Sequence, residues 1–78
     1  MTATREKFNA AFVPAEEAIP LRIAAAKMVM ANGYSAEQAI SILGFDGDGT
    51  AARALRRIVE VGADPAGERR IIREELGD

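Results

Sequence analysis

Cysteine, histidine and tryptophan are absent from this 78-residue chain. Without thiols there are no disulfides and no thiolate chemistry. Without histidine the usual general base near neutral pH is missing, and the lack of both removes the ordinary zinc ligands. No apolar run approaches the roughly 20 residues that span a bilayer. Arg5, Glu6 and Lys7 are followed by no long apolar stretch of the secretory kind. These absences predict a non-enzymatic cytoplasmic protein with no metal, no cofactor and no membrane partner.

What is present is alanine. The hydrophobic fraction is 49%, but sixteen of those residues are alanine, which buries little area and favours helix. The larger apolar residues, among them Leu21, Met28, Ile40, Leu43, Phe45, Leu55, Ile58, Ile71 and Leu76, are enough for one modest core. A chain this short makes one domain limited by core size, and homodimerisation is a natural way to bury more.

The net charge is −2 and unevenly spread. Residues 1–49 carry four basic and six acidic side chains. Residues 50–73 carry six arginines against Glu60, Asp64 and Glu68. An acidic chain with one basic region is a poor generic binder of nucleic acid, with binding through that region alone left open.

The pattern predicts an all-α fold, a small helical bundle. Residues 1–19 form an N-terminal arm with two open readings: a short helix around Phe8 and Phe12 ended by Pro14, or a segment partly disordered in isolation. Residues 20–78 form the helical domain. Pro20 stands where a first helical residue belongs, and Gly33 where a C-terminal cap does. Between them Leu21, Ala24, Ala25, Met28 and Val29 make a stripe at helical spacing, read as core-facing. Ser35 to Gln38 reads as a capping box opening a helix whose stripe is Ala36, Ala39, Ile40 and Leu43. A third helix runs from about Thr50 to Val61, with Ala51, Leu55, Ile58 and Val59 inward and Arg53, Arg56, Arg57 and Glu60 outward. Asp64 caps a fourth, with Pro65 first and Ile71, Ile72 and Leu76 inward.

The stretch LGFDGDGT, residues 43–50, invites three readings. A phosphatase nucleophile in an Asp-x-Asp-Gly-Thr string needs a preceding parallel strand in a far larger α/β domain, whereas EQAISIL here has helical spacing. A calcium loop counted from Asp46 has Ala51 where glycine belongs and Arg57 where the bidentate glutamate belongs. The third reading is a linker: Gly44, Gly47 and Gly49 tolerate positive φ, and Asp48 or Thr50 caps the next helix.

Two short helices around that linker, the second rich in arginine, make a helix-turn-helix-like unit with an extended turn. The position four before the turn glycine, usually small, is Ile40, and the turn exceeds three or four residues. Four places carry a resemblance: Leu21-Arg22, Ile42-Leu43-Gly44-Phe45, Leu55-Arg56-Arg57-Ile58, and Gly67-Glu68-Arg69-Arg70-Ile71-Ile72-Arg73. Over residues 20–74 the chain resembles a helix-turn-helix variant domain found in regulators of integrative and conjugative elements of proteobacteria. Glu68 stands where that family's closing pattern has tyrosine. The resemblance implies an antiactivator that binds transcriptional activators, a LuxR/TraR-type quorum sensor and an activator of excision, and so keeps element transfer off.

Candidate partner-binding residues are Arg53, Arg56 and Arg57, with Met30 as an adaptable apolar contact and Phe8 and Phe12 as a docking segment. The alternative function is a DNA-binding repressor or excision factor using helix 50–61 for recognition. The blander reading of the arginines is a solvated face with local pairing to Glu60, and of Arg69, Arg70 and Arg73 pairing to Glu74 and Glu75. Met28 reads as core, and Tyr34 as a staple for the second helix.

Overall fold

A computed structural model describes residues 15–77, with side-chain environments from Glu17 onward. Four helices follow one another: α1 (Ala15–Ala31), α2 (Ala36–Ile42), α3 (Thr50–Val61) and α4 (Pro65–Glu75). The described residues contain no strand, and the chain is a small all-α bundle. Phe8 and Phe12 lie outside the described residues.

Local chemistry sets most of the boundaries. The α2 start is the reciprocal capping box: Ser35 Oγ accepts from the Gln38 amide at 3.1 Å, and Gln38 Oε1 accepts from the Ser35 amide at 2.8 Å. The Asp64 carboxylate accepts from the Gly67 amide at 2.7 Å, with Pro65 opening α4. The ends of α2 and α3 share one closure. Gly44 (φ 73°) and Gly62 (φ 65°) are left-handed. Phe45 donates its amide to the Ile40 carbonyl, and Ala63 to that of Ile58, each at 3.0 Å. These are Schellman closures, which satisfy carbonyls the helix leaves unpaired. At the first, Ile40 is buried in the core and Phe45 is half-buried against it.

Two expectations about α1 are corrected. It does not begin at Pro20: the proline lies inside a helix already running from Ala15. Its missing N–H costs one bond near the helix start, while Ile19 and Ile23 on either side are buried and hold the helix in place. The face is also different. Leu21 and Met28, read as core, are 68% and 71% exposed, whereas Ile19, Ile23 and Ala26 are buried. Because α1 is apolar nearly all round, periodicity alone left two stripes to choose from. The stripe with two β-branched isoleucines points inward.

Elsewhere the stripes lie as expected, with one exception. Ala39 and Ile40 of α2, Ala51, Leu55 and Ile58 of α3, and Ile71 and Ile72 of α4 are buried, but Val59 is exposed. Ala52 and Ala54 join them, so the buried arc of α3 approaches half its circumference. Alanines on that helix let neighbours approach closely, and α3 accordingly packs against all three others, as does α1. Among the described residues no polar or charged side chain is buried.

Candidate functional site

The linker and the arginines of α3 form one connected structure. Asp46 Oδ1 accepts from the Asp48 amide at 3.1 Å, and the Asp46 carbonyl from the Gly49 amide at 2.9 Å, which folds residues 46–49 into a tight turn. Two further carbonyls of that turn accept from side chains of α3. Arg56 donates to the Gly47 carbonyl at 2.6 Å and Arg53 to the Asp48 carbonyl at 2.8 Å. Asp48 and Thr50, proposed as caps, are not used as such: Gly49 is the N-cap residue, with no side-chain cap. The arginines reaching back from the next two turns hold the loop instead.

The linker is preceded by helix rather than strand, and no group of three or more acidic side chains suited to a metal ion occurs among the described residues.

The outward placement of Arg53, Arg56 and Arg57 agrees with the sequence pattern, but their partners do not. Glu60 takes no part. Arg56 grips Glu37 of α2 with two nitrogens, at 2.6 and 2.9 Å. Arg57 spans Glu74 at 2.7 Å and Glu75 at 3.0 Å, and Arg53 adds a bond to Glu75 at 3.1 Å. These carboxylates come from 17 to 22 residues away on other helices. The array ties α2 and α4 to α3 across its outer face. Sequence spacing could not reveal it, since helical neighbour rules rank only partners three or four residues apart.

Glu74 and Glu75 are therefore occupied by α3. Arg69, Arg70 and Arg73 of α4 are exposed and take part in no ion pair among the described residues. Glu68 binds Lys27 at 2.6 Å and so links α4 to α1. Met30 is half-buried against the core, leaving Met28 as the methionine fully at the surface. Tyr34 is exposed rather than stapled inward.

The hydrogen bonds from Arg56, Arg57 and Arg53 shift Glu37 and Glu75. Glu37 is held below the ordinary value of 4.5, chiefly by the hydrogen bond from Arg56 and then by its charge, against some desolvation. Glu75 is lowered too, first by Arg57 and then by Arg53, again against desolvation. A carboxylate with a depressed folded pKa adds stability above its unfolded pKa and loses it as pH falls through the folded value. The urea midpoint is therefore expected to hold between pH 7 and about 5 and to fall below about 4.5. An Arg57→Gln variant should show a shallower fall. A midpoint equal at pH 7 and pH 3 would contradict the role given to these pairs.

Family models, curated proteins and solved structures were all compared with this chain, and none matches. No helix among the described residues is long and apolar enough to cross a membrane.

Proposed function

We propose that this chain is a non-enzymatic antiactivator that binds transcriptional activators and blocks them. The partners would be a LuxR/TraR-type quorum sensor and an excision activator of a conjugative element. The reading rests first on the resemblance carried by residues 20–74, which is greatest to the quorum-sensing antiactivator QseM. The structural observation that supports it is the fate of the α3 arginines. Arg53, Arg56 and Arg57 all bond to carboxylates and carbonyls of their own chain. A helix whose cations are neutralised in this way offers phosphates little, since each contact would first have to break an existing ion pair. It suits a mixed-charge protein interface better, with the Phe8 and Phe12 segment and the exposed part of the half-buried Met30 as apolar contacts.

The test is capture of activators by the tagged protein at about 150 mM salt with nuclease present. Recovery of a LuxR-type activator, undiminished by nuclease and lost in Arg57→Glu, is the expected result. The variant must first be shown folded, since the substitution sets three acids together.

A DNA-binding repressor or excision factor is the second reading. It began with helix 50–61, but the observation favouring it lies on α4, where Arg69, Arg70 and Arg73 stand exposed. A DNA binder with several phosphate contacts loses orders of magnitude in affinity between about 50 and 200 mM salt. Tight, sequence-specific binding of that kind by the isolated protein would overturn the antiactivator reading.

A further inference from the structure

The inward face of α1 consists of Ile19, Ile23, Ala26 and Met30, and its opposite face is also largely apolar. Leu21 and Met28, two helical turns apart, are the most exposed large hydrophobic residues of the described chain. Between them lie Ala24, exposed, and Ala25, half-buried. Glu17 and Asn32, both exposed, close the two ends. A helix that is apolar on both sides ordinarily has a partner on both.

The order of these residues indicates which partner. Read forward, Glu17, Leu21, Ala24, Met28 and Asn32 are separated by steps of four, three, four and four residues. Read backward, Asn32, Met28, Ala25, Leu21 and Glu17 are separated by the same steps in the same order. A face with that property matches itself when a second helix lies across it in the opposite direction. Leu21 then falls on Met28 of the second copy, Met28 on its Leu21, and Ala24 on its Ala25. A two-fold axis passes between Ala24 and Ala25. Such an interface is isologous, and every contact occurs twice.

The ends are chemically complementary as well. The Asn32 side-chain amide donates one hydrogen to the Met28 carbonyl at 3.0 Å. Its second amide hydrogen remains for an acceptor, and the carboxylate of Glu17 has acceptor sites only. The register places Glu17 of each copy at Asn32 of the other. At the centre the paired alanines permit the close axial separation, about 8 Å, of tightly packed helices.

We propose that the outer face of α1 is a self-association surface on which two copies of this chain pair antiparallel, in the register Leu21 to Met28 and Ala24 to Ala25. One helix pair about 25 Å long is small for an interface. The dimer therefore forms at high protein concentration and exchanges with monomer. It leaves the ion-paired arginines of α3, which lie on a different helix, outside the contact.

Two measurements on the full chain test this. Sedimentation velocity from roughly 10 μM to 1 mM should show the weight-average mass rising from monomer towards dimer. The rise should disappear in Leu21→Glu and in Met28→Glu, both surface changes that leave the helical circular dichroism intact. The register is read by cross-linking, which the absence of native cysteine makes clean. Ala24→Cys should oxidise to a covalent dimer. Leu21→Cys alone should not, because its two copies sit roughly 10 Å apart along the helix, but Leu21→Cys mixed with Met28→Cys should. A monomer throughout would overturn the proposal, and the face would then belong to residues 1–14 or to another protein. Self-association unaffected by either glutamate would overturn it too. Cross-linking of Leu21→Cys alone, the parallel result, would refute the register and with it the argument from sequence symmetry.

Discussion

Replacing Leu55 with alanine is expected to cost about 3 kcal/mol of folding stability. Leu55 has no exposed surface and sits on α3, the helix that packs against each of the other three. Five members of the core are alanines, at positions 26, 39, 51, 52 and 54, side chains with no freedom to swing into a void. The cavity should therefore persist, which places the loss in the middle or upper part of the range for such substitutions. A domain of this length has only a few kcal/mol to lose. The thermal midpoint should fall by roughly 15 °C, and the variant should be partly unfolded near 37 °C. Leu21→Ala is the control: the same chemical change, made at a residue 68% exposed, should shift stability by less than about 0.5 kcal/mol at dilute monomer concentration. Equal losses at the two positions would mean that the inward face of α1 has been assigned wrongly.

Gly44→Val is expected to cost about 2 kcal/mol, by another route. Gly44 lies at φ 73°, and a Cβ built there meets nothing within 4 Å. The cost is thus backbone conformation rather than collision. A β-branched side chain is poorly accommodated in the left-handed region, so the variant either bears the strain or opens the turn. Opening it gives up the Phe45 amide bond to Ile40 and draws Phe45 from its place against the core. Asparagine tolerates the same conformation, so Gly44→Asn should cost markedly less. Urea midpoints ranked glycine, asparagine, valine from most to least stable check the assignment. A harmless valine would show that the closure contributes nothing.

The two cases divide what could be read in advance from what could not. The end of α2 at Gly44 was legible because its chemistry is local: a glycine that tolerates the left-handed conformation. The same holds for Ser35 and Gln38, and for Asp64 with Pro65, where capping partners lie within three residues. The facing of α2 and α4 was legible too, since each carries one apolar stripe against a polar remainder.

Where α1 begins and which way it faces was not legible. Pro20 carries a signal for a helix start that longer-range burial of Ile19 and Ile23 overrides. Leu21 and Met28 compete with Ile23 and Met30 on a helix apolar all round, and only the neighbouring helices decide between them. The candidate arginines show the same limit. Their outward direction followed from spacing along α3, but their state followed from Glu37, Glu74 and Glu75, which reach them only once the bundle is assembled.

The sequence by itself determined an all-α fold, the caps and breaks that divide it, and a turn at residues 46–50. Each of these depends on atoms within about five residues of one another. The tertiary structure alone decided the buried face of α1, the partners of every arginine on α3, and the exposure of Leu21 and Met28. Those depend on contacts between helices, where a side chain's surroundings come from distant parts of the chain and no local rule ranks the alternatives.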